Sequence, residues 1–246
     1  NYSMRMLRIA LLAAVMAVLT SCGDPWNDPY PRGAERENVL YAAFNERPKH
    51  LDPVQSYSSN EITFTAQIYT PPLQYHFLKR PHTLIPFAAE SIPAARALDR
   101  DGQPLAEGAP AEEVAYTEYE IRLRPGMGYQ PHPAFAANAD GSPRYLGLTE
   151  SDLEGVHALR DFGQTGTREV TAEDFAYQIK RLAHPRLHSP IFGLMADYIV
   201  GLKELAQALQ AAQRGLAESG RADAWLDLRA FPLEGVTVVD RHTLRI

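Results

Sequence analysis

Cys22 is the only cysteine in the chain. No disulfide can form within it, so whatever folds here must be held by burial and hydrogen bonding. The position of that cysteine narrows things further. It closes an apolar run over residues 9–19, and Arg5 and Arg8 precede the run. Met4 suits a true start, with Asn1 to Ser3 upstream of it. A basic segment, a short apolar segment and then small residues is the order of a secretory signal. The run is shorter than the roughly 20 residues that a membrane-spanning helix needs. Residues 1–21 are therefore set apart from the fold.

Leu19-Thr20-Ser21-Cys22 resembles the lipobox of bacterial lipoproteins. That resemblance implies cleavage before Cys22 and lipidation of its thiol, with palmitate among the acyl chains and a signal peptide over 1–21. Acyl chains contribute about 0.8 kcal/mol per buried methylene, and two or more hold a protein firmly on a membrane. An uncleaved membrane anchor or a helix of the core is the alternative. The implied place is the cell envelope, at the periplasmic face of a bacterial membrane. The familiar inner-membrane retention signal is an aspartate directly after the cysteine. Here Gly23 intervenes before Asp24, so inner versus outer membrane stays open. Loss of Arg5 and Arg8 with the signal takes the formal charge from −6 to −8. Such a charge, with cations scattered, argues against nucleic acid as a partner.

Residues 22–37 hold Pro25, Pro29, Pro31 and Gly33 and read as a flexible tether. Residues 38–44 form an apolar, β-rich run and predict a buried strand. Asn60 is placed to cap a helix over 61–69, with Ile62, Ala66 and Tyr69 on one face. Tyr69 and Leu73 read as core. Residues 84–89 predict a short strand or turn, and 100–111 a surface loop. Residues 116–123 alternate, with Tyr119, Ile121 and Leu123 inward. Residues 127–168 are rich in Gly, Pro, Asn and Asp and read as an insertion with short elements of its own. Thr171 caps a helix that carries Phe175, Ile179 and Leu182, and Glu173 and Asp174 sit in its first turn. Ser189-Pro190 starts another helix. Leu202, Leu205, Leu209 and Leu216 mark a third, closed by Ser219-Gly220. Residues 235–246 read as a β-hairpin that stops inside its second strand, which predicts an amino-terminal fragment of a longer protein.

Taken in order, residues 45–53, 68–73, 116–126, 170–180, 197–201 and 235–246 resemble the family-5 extracellular solute-binding proteins. These are the oligopeptide-, dipeptide- and nickel-binding receptors of ABC importers. The matching features include Leu51-Asp52-Pro53, Tyr116-Thr117 with Tyr119, Ile121-Arg122-Leu123-Arg124-Pro125-Gly126, and Val170-Thr171-Ala172-Glu173-Asp174. The resemblance implies an α/β fold of the two-lobed, type II periplasmic binding protein kind. Residues 38–246 would be part of its first lobe. The insertion departs from the usual short link and resembles a large-receptor subgroup. The implied activity is capture of a peptide by cleft closure, without chemistry or cofactor. The implied partners are a peptide or other small solute, ABC permease subunits and, through the anchor, the membrane. The chain would act as a monomer. A nickel chelate, haem or sugar in the same fold, or an envelope hydrolase or structural lipoprotein, are the alternatives.

Tyr57, Ser58, Ser59 and Asn60 are the ligand-binding candidates. Their hydroxyls, ring and backbone N–H groups lie where a helix begins and can meet a carboxylate or a peptide backbone. The same residues also suit an ordinary turn and cap. Tyr129, Gln130, His132 and Phe135 read as surface loop or as cleft lining. His184 and His188 are four apart, but Pro185 breaks the helix between them, so no metal site is expected. No Gly-x-Ser-x-Gly, phosphate loop or His-Glu-x-x-His occurs, and no catalytic residue is assigned. Replacing Cys22 by serine is expected to abolish incorporation of labelled palmitate and to release the protein from the membrane fraction; unchanged labelling would refute the lipidation site.

Overall fold

The computed structural model describes Gly33, Asn38 and residues 42–246. The signal peptide, Cys22 and most of the tether lie outside the described residues. So do 39–41 of the strand predicted over 38–44, whose described residues 42–44 form no strand. The chain divides into two compact units, Asn1–Asn45 and Glu46–Ile246. All helices and strands named below belong to the second.

Helix α1 spans Ser59–Ile68. Strands β1 (Leu73–Tyr75) and β2 (Leu84–Pro86) pair antiparallel as a hairpin, with Gln74 opposite Ile85. Strand β3 is Ala95–Leu98 and β4 is Tyr116–Arg122. Three helices follow: α2 (Ala172–Arg181), α3 (Phe192–Tyr198) and α4 (Leu202–Glu218). Strands β5 (Thr237–Val238) and β6 (Thr243–Arg245) end the chain. The main sheet has the order β3-β4-β6-β5, and every neighbouring pair is antiparallel. The hairpin joins that sheet through residues 88–90: Arg124 N–H donates to the Ala88 carbonyl at 2.9 Å, and Glu90 N–H to the Arg122 carbonyl at 2.8 Å.

Two apolar clusters hold these elements together, and α2 spans both. Ala172, on its first turn, packs with Ala88, Leu123 and Leu244 against the sheet. Ala176, one turn on, packs with Ile199, Leu202, Leu205, Leu209, Leu228 and Val236. Spacing explains the division, because residues four apart lie on one face of a helix. Thr171 begins α2 as its sequence predicts: the Asp174 carboxylate accepts the Thr171 N–H at 2.8 Å, half of a capping box. Glycines let the segment before α4 meet the last hairpin. Gly201 has φ +79, and Gly235 N–H donates to the Val200 carbonyl at 2.9 Å. A Cβ on Gly235 would lie 2.6 Å from that oxygen, so only glycine permits the approach.

The structure corrects several expectations. The face predicted to be inward on α1 is turned outward, with Ile62, Ala66 and Tyr69 all exposed. The buried residue of this helix is Glu61, and Phe64 and Thr65 are half-buried. Leu73 is half-buried. Tyr119 is 42% exposed, because the cluster under α2 covers only the end of β4 that carries Ile121 and Leu123. Helix α3 begins at Phe192, after a turn in which Phe192 N–H donates to the Ser189 carbonyl at 3.3 Å. The insertion carries short 3₁₀ turns, Pro133–Phe135, Ser151–Leu153 and Leu159–Asp161. Its ends are fastened together: Val170 N–H donates to the Met127 carbonyl at 2.7 Å, and His132 and Gly166 exchange both of their backbone bonds.

Leu209 is fully buried on α4. Leu209→Ala is expected to cost about 3 kcal/mol through lost burial and the cavity left behind. A fall in the urea midpoint with unchanged slope is the corresponding measurement.

Candidate functional site

The loop before α1 is organised by a carboxylate. Asn60 does not cap the helix. Ser58 occupies the cap position, and Glu61 is the third helical residue. Glu61 accepts the N–H groups of Lys49 at 3.1 Å, His50 at 3.0 Å, Tyr57 at 3.0 Å and Ser58 at 3.2 Å. Its side chain is buried, at 4% exposure. The Ser58 side chain and the N–H groups of His50 and Tyr57 hold its pKa down at about 2. Two of the loop's N–H groups, those of Tyr57 and Ser58, are therefore already occupied. What the loop presents outward is the Tyr57 ring, which is 66% exposed, with the side chains of Ser58 and Ser59. The Ser58 hydroxyl bonds the Asn60 side chain. The sequence signal for Glu61 was present, since Ser58 and Glu61 stand in Ser-x-x-Glu spacing.

An ion pair ties this loop to α2. Asp52 receives Arg181 as a two-pronged pair, one prong at 3.0 Å, and also accepts the Val54 N–H at 3.1 Å. Burial alone would raise the Asp52 carboxyl; the Arg181 guanidinium and the Val54 N–H overcome this and hold it below the usual carboxylate range. The same guanidinium donates to Gln178 at 2.9 Å. Gln178 lies one turn back on α2 and lines a recess of about 460 Å³.

That recess gathers aromatic and charged side chains from the insertion, α2 and the segment after α4. Tyr129, Tyr177 and Trp225 give it aromatic surface, and Trp225 is 78% exposed at its edge. The Arg168 guanidinium lies over the Tyr129 ring, 4.9 Å from its centroid, and 5.5 Å from that of Phe135. It is also paired with Asp174, the residue that caps α2, through a contact of 2.9 Å and a second, shorter one. Arg229 is held by Asp227 through one edge of its guanidinium, Nε donating at 2.9 Å and Nη2 at 2.7 Å. Burial raises the phenol pKa of Tyr129 and Tyr177, so both are neutral hydroxyls at physiological pH. Glu173 adds an exposed carboxylate. Among the described residues no Ser, Thr, Cys or His lines the recess, which presents flat apolar faces, hydroxyls and paired charges.

The structure brings some of the predicted residues together. Tyr129 and Phe135 lie 5.0 Å apart, and His132 approaches Phe135 at 6.4 Å. Gln130 is exposed and lines no recess described here. Tyr57, Ser58, Ser59 and Asn60 line neither this recess nor a second one of about 460 Å³ inside the insertion, beside Tyr145 and Phe162. His184 accepts the Arg186 N–H on Nδ1 at 3.2 Å, and His188 adopts a left-handed φ of 49°. Trp225 and Arg229 come from a stretch without regular periodicity and carried no signal in the sequence.

No protein-family model matches the chain, and no curated protein matches it. Among solved structures it is similar to the Escherichia coli murein tripeptide binding protein MppA, with 18% identity and a TM-score of 0.43 over 82% of this chain and 25% of that one. It is likewise similar to the unliganded open form of the periplasmic murein tripeptide binding protein MppA, with 19% identity and a TM-score of 0.42 over the same shares. The chain thus spans about a quarter of the length of these structures.

The Glu61 pKa of about 2 lies below the ordinary 4.5. Its stabilisation is complete above the ordinary value and is lost as pH falls through 4.5 toward 2. Glu61→Gln is expected to melt earlier than the parent at neutral pH and to lose less on acidification to about pH 3. Parallel melting curves at both pH values read the difference; identical acid sensitivity would show that the carboxylate is not the anchor.

Proposed function

We propose that this chain is part of a lipid-anchored, extracytoplasmic substrate-binding protein of an ABC importer. It captures a peptide or related small solute by closure of a cleft and carries out no chemistry on it. The observation that carries this reading is that the segments resembling family-5 receptors are neighbours in space. Asp52 of the first segment pairs with Arg181, directly after the fourth. Residues 116–126 pair with 235–246 through β4 and β6. Residues 197–201 meet 235–246 at the contact between Val200 and Gly235. Resemblances scattered by chance along a sequence have no reason to converge in this way.

The recess beside α2 would supply this chain's share of the cleft. Tyr177 and Trp225 give flat surface for an apolar side chain or a peptide plane, and the Tyr hydroxyls give hydrogen bonds. The paired state of Arg168 and Arg229 favours an uncharged or zwitterionic solute over a simple anion. The same aromatic faces favour, as a second reading, a neutral sugar; native mass spectrometry of co-purified ligand separates the two.

Titration calorimetry of the full-length protein against a peptide library is expected to detect binding. Trp225→Ala is expected to weaken it roughly tenfold, as loss of one aromatic contact does. Absence of binding to every peptide and related solute would end this reading.

A further inference from the structure

The chain is acidic overall, with a formal charge of −6, yet residues 62–89 contain no Asp or Glu. That stretch carries Lys79 and Arg80 at the tip of the β1–β2 hairpin. Directly before them stand Phe77 and Leu78, which are 88% and 76% exposed. Phe77 is the most exposed large hydrophobic residue among those described. A flexible loop would fold such side chains against its own stem. Here hydrogen bonds hold the tip in shape. His76 N–H donates to the Thr83 carbonyl at 2.8 Å, closing the hairpin. The N–H groups of Leu78 and Lys79 both donate to His76 Nδ1 at 3.2 Å. Arg80 donates to the Lys79 carbonyl at 2.9 Å. The Tyr75 and His82 rings meet edge to face, 5.6 Å apart. An apolar pair with adjoining cations is thus projected from a fixed turn.

We propose that this hairpin is a membrane-contact element. Phe77 and Leu78 enter the headgroup boundary of an anionic lipid surface, and Lys79 and Arg80 meet its phosphates. The chemistry fits such a surface. Apolar side chains enter the interface while adjacent long cationic side chains keep their charge at headgroup level. Basic residues near an anionic leaflet are attracted within a Debye length, an attraction that salt weakens. Two adjacent cations with no acid on the same hairpin match a partner of uniform opposite charge. Cores of protein interfaces, by contrast, are depleted in lysine. The inference rests on the hairpin alone and does not depend on the reading of the ligand.

The test places an indole at the tip in the full chain, by Phe77→Trp, and compares its emission with that of the parent protein. The vesicles are mixtures of phosphatidylglycerol and phosphatidylcholine with brominated acyl chains, which quench only a fluorophore that enters the bilayer. The expected result is loss of more than half of the added emission at low salt. That loss should be reversed by salt or by Lys79→Glu with Arg80→Glu, and be absent on pure phosphatidylcholine. Leu146→Trp, at another exposed position, should show no quenching. The positional readout separates the hairpin from contacts made elsewhere in the chain. Hydrogen exchange of the unmodified protein provides a second measurement, with slowing over 76–83 expected only on anionic vesicles. No quenching, equal quenching at both positions, or equal quenching on neutral lipid would overturn the proposal. So would a blue shift that rises with protein concentration without vesicles, which would make the hairpin a contact between copies.

Discussion

Strand β6 is the member on which the second unit depends. It lies between β4 and β5, so Thr243–Arg245 bonds on both edges. Its middle residue, Leu244, is buried against Leu123, Ala88 and Ala172. The turn that precedes it fastens α2 as well, because Ala172 N–H donates to the Arg241 carbonyl at 2.9 Å. Arg241 and His242 then reach Glu169, which in turn accepts the Gly126 N–H at 2.7 Å. That N–H first, and then Arg241 and His242, hold the Glu169 carboxyl at about 2. One short strand and its turn thus fix the end of β4, the base of the insertion and the start of α2. Each of these borders the recess or positions a residue that does.

Carboxylates do most of this fastening. Glu61 gathers the loop before α1, Asp52 joins it to α2, Asp174 caps α2 while holding Arg168, and Glu169 closes the insertion. Each accepts backbone N–H groups, and three of the four also take an arginine. A carboxylate so satisfied stays ionised when partly withdrawn from water, and its loss leaves several donors without acceptors. The fold has no disulfide to restrain it, and these carboxylates take over local restraint in segments too irregular for a sheet or helix to order.

The sequence made some of this readable. Thr171 with Asp174, and the leucines at 202, 205 and 209, announce α2 and α4 through capping chemistry and period, both local signals. The alternation over 116–123 announces β4 but not how much of it is covered. Tyr119 has the right parity and still lies in the open, because cover is supplied by α2, far along the chain. Glu61 was readable from Ser58 and passed unread beside Asn60, a competing cap. The hairpin over 235–246 was legible, whereas its seat against β4 was not, since pairing partners more than a hundred residues apart leave no periodic trace. The recess was the least legible feature. Tyr129 stood out as an aromatic in the insertion, but Arg168, Tyr177 and Trp225 meet it only through tertiary packing.

The charge layout of the two candidate sites differs. A helix start with open N–H groups attracts a carboxylate, and the residues before α1 offer that on paper. Glu61 already fills the position with a carboxylate from the chain itself, so a ligand's carboxylate would have to displace a buried, four-times-bonded group. Beside α2 the charges are already paired, Arg168 with Asp174 and Arg229 with Asp227. The Tyr129 hydroxyl is engaged with Asp174 and Arg168, and the Tyr177 hydroxyl with the Leu228 backbone, so a visiting group there meets aromatic faces first. A carboxylate entering before α1 would compete with the fold itself, whereas an apolar or aromatic group beside α2 would not.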